Sequence, residues 1–257
     1  RTRPDLAYAQ SRISSMATTA PKQALLEGKR VLRYLKGTED VGLWFKPTVV
    51  GNVMAYGDAS FAIKRSQTGI VVKLGENNIR WRSSKQPQVA KSTADSEVTA
   101  MAATSIEGEF VKALRESILL PTPVVEIKCD NRAAIVLATG EGSWKTKALA
   151  NRVQGVKDQV QRGDVVVSYV GTKEQVADSL TKFLPPPMQP LSREHLSLYS
   201  ASSLFYDISV PAMTTIRISR MSIIPSDQPA KREKEQSERG AKELVRERPR
   251  VSDCTRD

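Results

Sequence analysis

The chain has 257 residues, with 39 Lys and Arg against 28 Asp and Glu and a formal charge of +11. Its two cysteines, Cys129 and Cys254, and single histidine, His195, exclude a disulfide framework and any ordinary zinc site. No apolar run is long enough to span a bilayer, and the start Arg1-Thr2-Arg3-Pro4-Asp5 has no apolar stretch behind it, as a signal peptide would.

Residues 4–36 read as two helices. Leu6, Ala9, Ile13 and Met16 recur at helical spacing. After Ala20-Pro21 the pattern resumes with Ala24, Leu25, Val31, Leu32 and Leu35, and it ends at Lys36-Gly37. The period then shortens. Val53–Tyr56 runs as a strand into Gly57-Asp58, and Gly69–Leu74 is a second strand. Gly75–Asn78 is a turn. Ile79–Ser83 alternates, with Ile79 and Trp81 predicted on one face and Arg80 and Arg82 on the other. This reads as an antiparallel meander with one solvated basic face.

Ser92-Thr93 caps a long helix from about 94 to 119, which stops before Pro121. Val124–Cys129 is a fourth strand, and residues 131–139 are a short helix closed by Gly140. Gly142–Lys147 reads as a loop, 148–162 as a helix and Val165–Val170 as a fifth strand. A last helix covers 173–182, before Pro185-Pro186-Pro187. The fold class is therefore α/β: a five-stranded mixed sheet flanked by helices over 46–185, with a helical segment over 1–45. Residues 197–224 are weakly apolar without a period. Residues 227–257 alternate Lys, Arg and Glu with Ser and Pro, so 186–257 is predicted to be a largely disordered tail.

Most of the net positive charge lies outside that tail. Residues 186–257 hold 12 basic and 10 acidic side chains, which leaves a net +9 on residues 1–185. Such an excess on the folded part favours a polyanionic partner, nucleic acid first. Within this basic chain four carboxylates stand at the ends of predicted strands or within predicted helices. They are Asp58 in Tyr56–Ser60, Glu97 in Ser92–Glu97, Asp130 in Cys129-Asp130-Asn131 and Asp178 in Val176–Leu180. Carboxylates gathered from separate elements repel one another unless cations sit among them, and hard oxygen ligands suit Mg²⁺ or Mn²⁺.

The order of elements and carboxylates resembles the ribonuclease H fold with its four-carboxylate set. More closely, the chain is similar to the ribonuclease H domain of copia-type LTR retrotransposon Pol polyproteins, preceded by the end of the reverse transcriptase. The stretches that carry this are Arg3–Ala9, Leu32–Thr38, Asp58-Ala59-Ser60, Arg65–Gly69, Trp81–Gln86, Ser92–Glu97, Cys129-Asp130-Asn131 and Ala177–Lys182, in family order over roughly residues 1–185. The resemblance implies a metal-dependent endonuclease that hydrolyses the RNA strand of RNA–DNA hybrids, with two Mg²⁺ or Mn²⁺ ions held by Asp58, Glu97, Asp130 and Asp178. The alternative is an inactive transposon remnant that retains the fold and non-specific nucleic-acid binding. It also implies that residues 1–45 are the end of the polymerase, whose own paired-aspartate motif is missing here. With no initiator Met, a fragment of a longer polyprotein is expected, cytoplasmic or nuclear in location. The sequence departs from the family at Ala148, Ala150 and Gln154, where two histidines and an aspartate are usual.

Each carboxylate has a plainer reading. Asp58 could end a strand before a turn, Glu97 could be a solvated first-turn acid, Asp130-Asn131 could cap the next helix, and Asp178 could pair with Lys182 at i+4. For the duplex, Lys64, Arg65, Arg80, Arg82, Lys85 and Lys91 are the expected phosphate contacts, with Gln86 and Asn131 as further donors. Trp81 is expected in the core.

Overall fold

The computed structural model describes residues 2–47, 52–118, 124–140 and 147–201, with the side chains of 147–152 left aside. A 3₁₀ turn, Pro4–Leu6, leads into α1 (Ala7–Met16) and α2 (Pro21–Lys36). Then follow β1 (Val41–Leu43), β2 (Val53–Ser60), β3 (Gln67–Leu74), β4 (Asn77–Lys85), α3 (Thr93–Ser117), β5 (Val125–Cys129), α4 (Arg132–Thr139), α5 (Lys147–Gln161) and β6 (Val165–Tyr169). After three 3₁₀ turns, Thr172–Glu174, Val176–Leu180 and Pro186–Met188, come α6 (Gln189–His195) and β7 (Leu198–Ser200).

Five strands form a mixed sheet in the order β4-β3-β2-β5-β6. β3 is antiparallel to β2 and β4, whereas β5 and β6 run parallel to β2. That strand order, with helical crossovers after β4 and β5, is the ribonuclease H-like arrangement. Its consequence is positional. The carboxyl ends of β2, β4, β5 and β6 lie at one edge, the usual ligand edge of an open α/β sheet.

Each face of the sheet carries a core. On one face Val98, Met101 and Val111 of α3 pack with Val53, Ala55, Ile70, Val72, Val125 and Ile127 of the strands, joined by α4 and α5. This explains the Ala-rich sequence of α3. A Cβ at Gly108 would meet Val125, and one at Gly57 would collide with Thr104, so helix and sheet approach closely there. On the other face Val71, Val176, Ala177, Leu180, Leu196 and Leu198 cluster with Tyr56, Trp81 and Ala7.

Three expectations are corrected. Ile79 and Trp81 do not share a face. The register of β3 with β4 slips between Val72 and Lys73, opposite Arg80 and Asn78, which leaves Ile79 as an extra residue. The bulge reverses the alternation: Ile79 packs on the α3 side with Arg80 opposite Val72, and Trp81 packs on the other side. Second, the helix expected over 173–182 is two short 3₁₀ turns. Gln175 is extended between them (φ −71°, ψ 97°), its amide donating to the Gly57 carbonyl at 3.0 Å. Third, residues 186–201 belong to the fold rather than to the tail. β7 pairs antiparallel with β1, and Leu196 and Leu198 are buried. A three-residue strand is too short to show a period. The remainder of the expected tail, from 202, and the expected loop at 142–146 lie outside the described residues.

Candidate active site

Asp58 is the sixth residue of β2, and its pairing with Gly69 of β3 fixes its direction. A Cβ at Gly69 would lie 2.6 Å from the Ala177 carbonyl and 2.8 Å from Thr181 Cγ2, so the Val176–Leu180 turn rests directly on that face. The Thr181 hydroxyl reaches Asp58 Oδ2 at 2.7 Å. β2 and β5 pair through Tyr56 and Lys128. Continuing that register by two residues brings Asp58 level with Asp130, which follows the last residue of β5. Asp178 comes from the 3₁₀ turn, and Glu97 comes from the first turns of α3 on the opposite face.

The charges of Asp130 and Asp178 reach both Asp58 and Glu97. Burial first, then the charges of Asp178 and Asp130, push Asp58 up to about 6, against the Thr181 hydrogen bond and Lys182. Burial, then Asp58 and Asp130 and more weakly Asp178, push Glu97 up to about 9, against a hydrogen bond with the Ala59 backbone. Glu97 is 6 % exposed, and its Oε2 is buried without a hydrogen-bond partner. A first-turn acid in solvent would show neither property. Such a group is stabilised by a cation or by a proton, and this is the sense in which the donor set fits divalent metal: oxygen ligands, excess negative charge and one orphaned buried oxygen.

The plainer readings resolve individually. The cap of α4 is Asn131, whose Oδ1 accepts from the Ala134 amide at 3.0 Å, so Asp130 is not used as the cap. Asp178 does pair with Lys182, at 2.6 Å. That lysine is not a remote surface partner. Burial works against its charge, but Asp178, with Asp58 and Asp130 behind it, holds its pKa above the ordinary value. Lys182 thus stands as a counter-charge among the carboxylates. Thr181 and Lys182 lie in the Ala177–Lys182 stretch, where nothing local in the sequence marks them as part of the site. Cys129, a buried free thiol, also lies here: Glu97, Cys129 and Asp130 bring one ligand atom each within 4.8 Å of one another.

The expected nucleic-acid contacts divide. Lys64 and Arg65 in the β2–β3 loop, Lys85 at the end of β4, and Lys91 before α3 are all exposed at the carboxylate edge. Arg80 and Arg82 lie on the α3 side, both paired with buried Glu107. Arg80 donates through Nε, and Arg82 Nη1 lies at 3.3 Å. The Arg80 guanidinium also stacks 4.3 Å from the Phe110 ring centre. Gln86 is buried, its amide donating to Thr68 Oγ1 at 3.0 Å and the Ser96 carbonyl at 2.8 Å. It ties β3 to α3 instead of facing solvent. Gln154 donates to Asp158 at 2.8 Å, and the side chains of Ala148 and Ala150 are outside the described residues. Among the described residues no helix is long and apolar enough to cross a membrane.

Fold and edge together define a ribonuclease H-like α/β domain. No protein-family model matches the chain. The chain is 36 % identical over 199 residues to the retrovirus-related Pol polyprotein from transposon RE1 of Arabidopsis thaliana, covering 75 % of this chain and 13 % of that protein. It is 39 % identical over 202 residues to the corresponding polyprotein from transposon RE2 of the same plant, again covering 75 % and 13 %. Among solved structures, RNase H1 from the halophilic archaeon Halobacterium salinarum superposes with a TM-score of 0.39 at 16 % identity, over 51 % of this chain and 94 % of that one. Over about three quarters of its length the chain is homologous to retrovirus-related Pol polyproteins of copia-type transposons. It spans about 13 % of the length of the polyproteins it matches.

Proposed function

We propose that this chain is the ribonuclease H part of a retrotransposon Pol polyprotein, a metal-dependent endonuclease that hydrolyses the RNA strand of RNA–DNA hybrids. The observation that carries the reading is the coupling of Asp58, Glu97, Asp130 and Asp178 at one sheet edge, with a buried Glu97 oxygen left without a partner. These four residues are the ones to hold two Mg²⁺ or Mn²⁺ ions. When bound, such a pair supplies an activated water and stabilises the leaving oxygen of a phosphodiester.

The chain's own residues set up the rest. Thr181 fixes the Asp58 carboxylate, and Asn131 caps α4 so that Asp130 stays directed to the edge. Lys182 offsets part of the negative charge before any cation arrives. Lys64, Arg65, Lys85 and Lys91 border the same edge and suit contacts to phosphates, which position a duplex without reading its sequence. Selection of a hybrid then rests on shape and on 2′-hydroxyls in the minor groove.

The test is cleavage of a labelled RNA–DNA hybrid by the full chain, with and without Mg²⁺. Metal-dependent loss of the RNA strand with the DNA strand intact supports the proposal. A folded chain that binds the hybrid and cuts neither strand supports the inactive-remnant reading instead.

A further inference from the structure

One side chain at the site has no part in hydrolysis as described above. Cys129 closes β5, is 2 % exposed, and directs its sulfur to the α3 side of the sheet edge, where Glu97 enters. Its Sγ, a Glu97 oxygen and an Asp130 oxygen all lie within 4.8 Å of one another. A tetrahedral ion with bonds of about 2.0–2.3 Å to oxygen and sulfur holds its donors about 3.3–3.8 Å apart, so these side chains would draw in by roughly 1 Å around it. The backbone N–H of Asn131 approaches Sγ at 3.4 Å, and the sulfur in turn lies 3.8 Å from the Asn131 carbonyl. A second observation does not depend on the cysteine: Glu97, more than nine-tenths buried, supplies one oxygen to this group, and its Oε2 has no hydrogen-bond partner.

Mg²⁺ has little use for sulfur, whereas Zn²⁺ and Cd²⁺ favour it. We propose that Glu97, Cys129 and Asp130 form a mixed sulfur–oxygen site that captures a thiophilic divalent ion, Zn²⁺ or Cd²⁺, in competition with Mg²⁺, and thereby inhibits the site. Capture replaces the thiol proton, which leaves to solvent. The inference rests on the function proposed above, since it assigns a form of inhibition to the same carboxylates. Its primary readout does not depend on cleavage.

The experiment titrates the full chain with CdCl₂ in the absence of Mg²⁺ and follows the ultraviolet thiolate-to-cadmium charge-transfer absorbance. Cys254→Ser serves as the background, because it removes the other thiol. The band is expected to saturate at one equivalent in Cys254→Ser and to vanish in Cys254→Ser/Cys129→Ala. Glu97→Gln, which keeps the thiol and the side-chain shape, is expected to weaken cadmium binding by on the order of tenfold or more. Where Mg²⁺-dependent cleavage is present, Cd²⁺ inhibition is expected to weaken with Cys129→Ala by a similar factor. No saturable band in Cys254→Ser, or one that persists without Cys129, overturns the proposal even if cleavage is normal. A chain that never cleaves but shows the Cys129-dependent band retains the metal site and loses only the nuclease reading.

Discussion

Thr181 and Asp58 are 123 residues apart in the chain, yet the threonine hydroxyl lies 2.7 Å from Asp58 Oδ2. The same hydroxyl is 2.9 Å from the Asp178 carbonyl. It has one proton for two acceptors, and ionised Asp58 is the stronger of them. Thr181→Val removes the donor while keeping the shape. Asp58 then moves above its present value of about 6, because the lost bond favoured the charged form. A smaller fraction is ionised at pH 6, so Mg²⁺ binding weakens there and is nearly unchanged at pH 8. Calorimetric titration with Mg²⁺ at the two pH values checks this. An equal loss at both would place the role of Thr181 in holding the 3₁₀ turn.

The metal-free protein is predicted to lose stability as pH rises. Glu97 is raised from 4.5 to about 9 and Asp58 from 3.8 to about 6. Between each pair of values the native state binds more protons than the unfolded chain, so the slope of stability against pH is negative. In EDTA the Tm is expected to fall from about pH 5 to pH 9, and Glu97→Gln should flatten most of that fall. Mg²⁺ should restore stability most at the alkaline end, where the carboxylates are ionised. A Tm that rises with pH in EDTA would contradict the buried, mutually repelling cluster.

Gly69→Ala tests the seating of the turn that delivers Asp178. The new Cβ would sit 2.6 Å from the Ala177 carbonyl and 3.0 Å from Leu180 Cβ, and two of these neighbours are firmly packed. Overpacking of this kind costs about 1–3 kcal/mol. It also displaces Asp178 and Thr181, so cleavage is expected to fall by more than the unfolded fraction explains. Chemical denaturation and single-turnover cleavage on one preparation separate the two effects.

The basic residues are predicted to fall into two groups. Arg80 is paired with buried Glu107 and stacked on Phe110, with its side chain 42 % exposed. Arg80→Ala should cost about 1–2 kcal/mol of stability, an amount reduced by that exposure, with little change in hybrid affinity. Lys85→Ala should leave stability within about 0.5 kcal/mol and lower affinity for hybrid and duplex alike, with the salt slope reduced by about 1. Denaturation curves and binding at three salt concentrations read both. The reverse pattern would move the nucleic-acid face to the α3 side.

Much of this architecture is legible in local pattern. The five strands follow from alternation and apolar runs, and Ser92 caps α3 as its sequence indicates, its hydroxyl accepting from the Asp95 amide at 3.1 Å. What stays hidden is set by tertiary contact. A single bulge at Ile79 reverses which face Arg80 presents, and nothing in Ile79–Ser83 signals it. Gln86 looks like an available donor but is consumed by Thr68 and Ser96, which are distant in sequence. Leu196 and Leu198 look like tail residues until β7 finds β1. Asp58, Asp130 and Glu97 stand at the strand ends and helix start that the sequence indicates, whereas Asp178 sits in a 3₁₀ turn in place of the expected helix. Thr181, Lys182 and Cys129 join them only through the packing of the turn and the approach of α3.

The most direct measurement is single-turnover cleavage of an RNA–DNA hybrid by the full chain in Mg²⁺, for wild type, Asp58→Asn and Asp130→Asn, each with its Tm in EDTA. The wild type is expected to cut the RNA strand, and each substitution to lower the rate by at least about a thousandfold. Neither substitution should lower the metal-free Tm, because each removes a repelling charge. A wild type that cuts and an Asp58→Asn or Asp130→Asn chain that cuts equally well would contradict the site, as would a correctly folded wild type that cuts no hybrid at all.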